Sequence, residues 1–577
     1  MLRNALRFAP LARALLSGAT VIAAVAAPSA LVAGCADESQ PETWVKRLDE
    51  PAQRAPAIKR LVQFFEDAMT RANKNREDPT VKALLDKIAE PLASTYATGA
   101  LDEKTRVDLI KFLADTRDPR AKAALAKACT EFGKGGNASE DDVRWAAPAI
   151  GALKLQDAAQ ALGEAFVKLQ AGTQKGSQAY KNVHDAMLQL KSPVWKPVLL
   201  ERLARPIEIP SGASDATRVA PFQNELFWQT TSAELLGELR EPSAVKPLLK
   251  IVMTPAKADV AATAIMALVK IGKDAVPELV AALTGQDADL VAYAKTVSGG
   301  DPKLTTSHVR SAALVLGTIG RAEAAAPMAQ VLASSESEVD RAIVARELAK
   351  IVGAPTAEST FQAAFEKISP STTIPGGGGS DNARMELAES ASRFYDPQLV
   401  PWLLKQVKDA KGGEGEKDMV QATALLSAIK LMTKAQIAEV KPVVEKEGSP
   451  LEKDAFTRAS DLLGKCGDAT ACYLSKLQEP GSQEKATQFI GIKAAYMLGV
   501  LGNADTAREI AQQIQKVRQA AVRFAAVSAI DHLAVTAPGP VIDLLQKAVD
   551  ENKSKGDANM MQADSSVGQV LYRLRAR

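Results

Sequence analysis

The sequence predicts an all-α fold, an extended right-handed α-solenoid of stacked antiparallel helix pairs, and three observations point to it. Alanine is abundant while aromatic residues make up only 5% of the 577-residue chain, a composition suited to close-packed helices. Alternating runs of Val, Ile and Thr, the mark of half-buried strands, are scarce. Above all, one phrase recurs: an apolar helix closing in Leu-x-x-Leu-(Gly), a short turn of Asp, Pro and Ala, then a second apolar helix. Such self-similarity belongs to repeat architectures, in which each unit buries its apolar faces only against its neighbours.

Residues 1–34 have the character of a targeting segment and are set apart from the fold. Arg3, Arg7 and Arg13 precede an uncharged, alanine-rich run from Leu15 to Ala33, the charge step and apolar region of a signal peptide. The run ends in Leu31-Val32-Ala33-Gly34-Cys35, which resembles the bacterial lipobox. That resemblance implies diacylglycerol on the Cys35 thiol, cleavage before it, acylation of the new amino terminus and a short lipidated tether over 35–41. Several acyl chains hold a protein far more firmly than the single chain that binds only marginally. Ala36 rather than Asp follows the cysteine, which in the sorting pattern of such lipoproteins implies the outer membrane, on its periplasmic face or at the cell surface. An uncleaved membrane helix, or ordinary cleavage after Ala30, is the alternative. No second apolar stretch of 18 residues follows Cys35.

Removing the three leader arginines takes Lys plus Arg from 71 to 68, equal to the 68 acids. A balanced chain exerts no long-range pull on phosphate backbones, and no basic run is interleaved with aromatics, so nucleic acid is not an expected partner.

Residues 42–577 read as one solenoid. Clear copies of the phrase are Ala233-Glu234-Leu235-Leu236-Gly237, Ala313-Leu314-Val315-Leu316-Gly317 and Tyr496-Met497-Leu498-Gly499. With Leu236 as reference, equivalents fall at Leu268, Leu316, Leu348, Ile429, Leu463, Leu498 and Ile530, with three steps of 32 residues and others of 34 and 35. Weaker equivalents at Leu113, Ile150 and Met187 are 37 apart. Two longer steps, 268 to 316 and 348 to 429, imply insertions or a missed copy.

The phrase resembles the HEAT-like repeats of the ARM superfamily, especially the short bacterial type related to phycobilisome lyase repeats. The matching residues are the helix starts His308-Val309-Arg310-Ser311-Ala312-Ala313 and Ala521-Val522-Arg523-Phe524-Ala525-Ala526, the Leu-Gly closes, and the second-helix start Ala244-Val245-Lys246-Pro247-Leu248-Leu249. The resemblance runs from Trp44 to about Leu574 and implies fold rather than activity, because repeat residues are packing residues. Glycine after the last leucine is expected to supply the left-handed residue that stops the first helix. Pro242, Pro247, Pro277, Pro327 and Pro401 open helices, where a missing N–H costs little. About a dozen layers at roughly 8–10 Å each give a curved rod about 100 Å long with a large concave face. Insertions near 204–223, 286–307, 369–381 and 411–417 interrupt the repetition. The glycine run 376–379 lacks a following Gly-Lys-Ser/Thr and reads as a flexible loop, not a phosphate loop.

Cys466 and Cys472 flank the turn Gly467-Asp468-Ala469 and are expected to form a disulfide, since export permits one and the turn brings the two Cα atoms near. No His or Cys lies near enough in sequence to complete a metal site, and the spacing is wider than the Cys-x-x-Cys of redox pairs. Cys129 reads as a buried thiol. His184, His308 and His532 stand in different repeats, and in a rod sequence distance is spatial distance, so they are not expected to share a centre. Glu140-Asp141-Asp142 reads as helix N-terminal charge, and the five tryptophans as core anchors. No catalytic residue, cofactor or metal is expected. The expected function is a membrane-anchored scaffold whose concave face or insertion loops hold protein partners. A spacer within an envelope assembly is the second reading, and a lyase related to the bilin-attaching enzymes the third.

Overall fold

The computed structural model describes residues 37–172, 174–207, 216–302, 304–351, 357–374, 382–410, 414–478, 485–534, 538–556 and 558–577. The leader 1–34, Cys35, the glycine run 376–379 and residues 411–413 lie outside the described residues. The chain divides into two compact units, one through Leu92 and one from Ala93. In the first, the Arg54–Arg71 helix buries Ile58, Leu61 and Phe65, and Lys87 pairs with Glu42 at 2.7 Å.

The second unit is the α-solenoid that the repeats predict. Its helices pair in order, from Glu103–Thr116 with Lys122–Lys134 to Ala520–Leu533 with Gly539–Lys555, and the Ala558–Ala576 helix follows. First helices form one row and second helices the other, each packing on its counterpart in neighbouring layers. Every reference position from Leu113 to Ile530 is fully buried, so the repeat unit was located correctly. Cutting such a leucine to alanine costs about 2–5 kcal/mol.

The glycine expectation is corrected. Gly237 and Gly317 lie inside their helices, and a Cβ on either would come within 2.6 Å of the next layer, at Ala267 and Glu347 respectively. These glycines allow close approach; the left-handed residue comes three positions later, at Arg240 and Gly320. The left-handed residues are Arg117, Lys154, Lys191, Arg240, Gly272, Gly320 and Gly467, each four after its reference residue. Tyr395 occupies the same place with φ of 53°, which identifies Ala391 as the missed reference residue between 348 and 429. The other long step, 268 to 316, holds an extra helix, Ala288–Val297, on which Tyr293 bonds Thr254 at 2.7 Å.

Layers are also tied by charge. Arg106 grips Asp142 of the next layer with two 3.0 Å bonds, while Asp142 closes a capping box with Ser139 and accepts from the Tyr96 hydroxyl at 2.9 Å. The arginines of the two Val-Arg phrases do likewise: Arg310 lies 3.2 Å from Asp340, and the fully buried Arg523 pairs with Asp564. Side chains add bonds to backbone carbonyls one layer back, as Trp195 to Ala159 at 2.7 Å and Gln436 to Pro397 at 2.8 Å.

One contact departs from simple stacking. The Ala558–Ala576 helix packs on Ala258–Ile271 and Ser307–Ile319 as well as on its neighbour Ala520–Leu533. Arg573 donates to the carbonyls of Gly317 (2.7 Å), Thr318 (3.0 Å) and Lys350 (2.8 Å), and Arg321 donates to the Arg577 carbonyl at 2.5 Å. The expectation that layers distant in sequence stay apart in space therefore fails here. Small rotations per layer accumulate until the first-helix row, the inner one, faces itself.

Candidate functional site

Concavities open on the inner row, and two of them gather aromatic and titratable side chains. The first opens between the Gln174–Leu190 helix and Ala216–Glu238, neighbours that touch only sparingly. The groove, of 670 Å³, is lined by Tyr180 and Phe227, whose ring centroids are 4.5 Å apart, with the fully buried Phe166 behind Phe227 at 5.6 Å. His184 bridges it, with Nε2 2.9 Å from Glu234 and Nδ1 3.1 Å from Asp185. The hydrogen bond to Glu234 raises the imidazole above its ordinary value despite partial burial. Lys181 and Gln223 stand exposed at the rim.

The second is a cavity of 290 Å³ at the seam, where Ala258–Ile271, Ser307–Ile319 and the turns at Lys350 and Tyr395 meet Ala520–Leu533 and Ala558–Ala576. Tyr395 is its centre. Its left-handed backbone is costly for a bulky residue and is held by what surrounds the ring. Tyr496 stacks on it at 5.2 Å and His532 lies against it at 4.6 Å. Its hydroxyl donates to Ser528 Oγ at 2.9 Å, and Gly499 leaves room for the ring, since a Cβ there would fall 2.2 Å from it. Burial, reinforced by Tyr496, raises the phenol well above its ordinary range.

Charge in the cavity wall is unevenly matched. Both Asp531 oxygens are taken, by Arg573 at 2.8 Å and Arg577 at 2.7 Å. Lys350 pairs with the fully buried Glu347 at 2.5 Å, and burial lowers its ammonium. Arg393 lines the cavity with no hydrogen-bond or ion-pair partner among the described residues, and its charge acts on both Lys350 and Tyr395. His532 is likewise without a hydrogen bond, and burial holds it down at about 4, hence neutral near pH 7. Ser528, Asp531 and His532 share one helix, but the serine hydroxyl is engaged by Tyr395 and the aspartate by arginines. A nucleophile needs its base within hydrogen-bond reach, and the present pairing instead suits binding of a negative group.

The residues singled out by sequence are dispersed. Cys466 and Cys472 are bonded, with Cα atoms 5.4 Å apart. Cys129 is fully buried and its thiol is pushed up to about 12 by burial. His308 is buried in its own helix, and of the three histidines only His532 lines the seam cavity. Among the described residues no group of three or more His, Cys, Asp or Glu side chains is placed to hold a metal ion. No single described helix is long and apolar enough to cross a membrane. Sequence reading missed Lys350, Arg393, Tyr395 and Arg573. The available signal was Tyr395 itself, an aromatic four residues after a buried alanine in repeat register, together with Arg573, Arg575 and Arg577 at alternate positions.

No protein-family model matches the sequence, and no curated protein matches it. Among solved structures, Kap121p bound to Nup53p aligns with 92% of this chain at 13% identity and a TM-score of 0.39, and the chain spans only 56% of its length. Importin beta aligns with 93% of this chain at 10% identity and a TM-score of 0.23, with 85% of its own length covered. At such scores the likeness adds nothing to the fold argument, which rests on the helix pairs and their buried repeat positions.

Proposed function

We infer that this chain is a membrane-anchored protein-binding scaffold of the bacterial cell envelope, with no catalytic activity of its own. The lipobox-like run ending at Cys35 supports the anchor, and Ala36 after it supports the outer membrane. The observation that carries the binding role is the open groove between Gln174–Leu190 and Ala216–Glu238, the place where neighbouring inner-row helices part and present rings flanked by mixed charge. Aromatic floors with polar rims are the usual anatomy of protein-binding surfaces.

A photo-crosslinking side chain at Lys181 or Gln223 tests this in envelope preparations, with Lys446 on the outer row as control. The expected result is a defined protein adduct from both groove positions and none from the control. Equal labelling at all three positions, or no adduct from the groove, rejects the reading. The anchor is tested separately: Cys35→Ser should move the chain to the soluble fraction, and retention in the envelope would rule the lipid out.

A further inference from the structure

We propose that the seam cavity binds a small organic monocarboxylate, its charged head between Arg393 and Lys350 and its apolar body against the valines and rings of the closing helices. This stands apart from the groove reading and does not rest on it.

The charge of the ligand follows from the pairing in the wall. Lys350 already has Glu347, and Arg573 has Asp531 and three carbonyls, so one guanidinium, that of Arg393, is left without a counter-charge. An unpartnered guanidinium beside carboxylates that are already shared between cations calls for a negative group. Arg393 presents a planar fork to it, the geometry that carboxylates fill with two parallel bonds. The Lys350 ammonium, near enough to Arg393 to feel its charge, has hydrogens beyond the one directed at Glu347. His532, neutral and without a hydrogen bond of its own, supplies a further polar contact.

The body of the ligand follows from the rest of the lining. Val269, Val527 and Val570 supply apolar wall, Tyr572 and Phe524 add rings, and Phe524 is 53% exposed. Such a surface offers nothing to a free inorganic anion and favours an attached hydrocarbon or aromatic group. The volume, 290 Å³, lies at the lower end of the roughly 300–1,000 Å³ usual for ligand pockets, which restricts the class to small acids.

The test is calorimetric titration of the purified full chain with phenylacetate and 4-methylpentanoate, against 2-phenylethanol and inorganic phosphate as controls. At least one carboxylate should bind saturably, at least about ten-fold tighter than 2-phenylethanol, with no binding of phosphate. Arg393→Gln should weaken it at least ten-fold and Arg393→Lys less. Because Arg393 has no partner to lose, the Gln variant should melt no lower than the parent. Gln569→Trp, at an exposed position on the cavity wall, should block entry without touching the cations. The proposal is overturned by absence of saturable carboxylate binding, by equal binding of the alcohol, by indifference to Arg393→Gln, or by binding only of an acidic peptide.

Discussion

The groove and the seam are built from the same repeat yet are held in different ways. At the groove each layer answers only to its neighbours, through His184–Glu234, Lys191–Glu238 and Lys270–Glu238. At the seam one helix joins layers that lie 223 to 256 residues apart, through three nitrogen-to-oxygen bonds of Arg573. A stack stabilised by nearest neighbours loses structure locally, whereas a stack tied across its turn does not. The repeat motif therefore does not by itself fix how far a disturbance spreads.

The largest effect expected is that of Arg573→Ala. It leaves Asp531 to Arg577 alone and strands the carbonyls of Gly317, Thr318 and Lys350, a loss on the order of 3–5 kcal/mol when each unsatisfied buried group costs about 1–3. Hydrogen exchange should rise in both 307–320 and 520–577, although these are distant in sequence. Phe227→Ala at the groove, costing about 3 kcal/mol, should loosen only adjoining layers. Exchange that rose only around residue 573 in the first variant would remove the distinction.

Acid should separate the two regions in opposite directions. Burial keeps His532 down at about 4, while the unfolded chain takes its proton near 6.5. Between those values the unfolded state binds a proton that the folded state refuses, so stability at the seam falls as pH drops from about 6.5 to about 4, by up to about 3 kcal/mol. His184 is raised by Glu234, so its contribution is complete below its ordinary value and fades as pH climbs through the raised one. Exchange compared at pH 5 and pH 8 should show a looser seam and a tighter groove at the lower pH, and His532→Gln should remove the first effect. Identical seam protection at both values would contradict the assignment.

The smallest effect belongs to the disulfide, which lies in neither region. Cys466 and Cys472 are six residues apart, and so short a loop yields only about 2 kcal/mol on chain-entropy grounds. Cys472→Ser should fray 450–477 and leave groove and seam protected; wider loosening would mean that this layer too is coupled at a distance.

Much of the fold was legible because burial along a helix repeats with the layer, so Leu236 and its equivalents announced themselves by volume and spacing. Ala391 was missed because it fills the same position without the same bulk. The Leu-Gly glycines were recognisable as meaningful, but sequence alone does not separate a glycine needed for close approach, such as Gly317, from one needed for a left-handed turn, such as Gly320. The seam was illegible for a deeper reason. Curvature builds from a small rotation at every layer, a sum that no local pattern displays, and the cavity residues come from six stretches of chain that only that sum brings together.

The order of synthesis gives Arg573 another meaning. In a chain made from its N-terminus, the carbonyls of Gly317, Thr318 and Lys350 emerge 223 to 256 residues before the guanidinium that satisfies them. At about 5–20 residues per second, that is a wait of roughly 10–50 s. Through that interval the layers behind can stack, but Val269 and the helix ends beside it have nothing to close on. A chain halted before residue 573 is therefore left with a bare inner face, the kind of surface on which unfinished proteins aggregate and which holding chaperones cover.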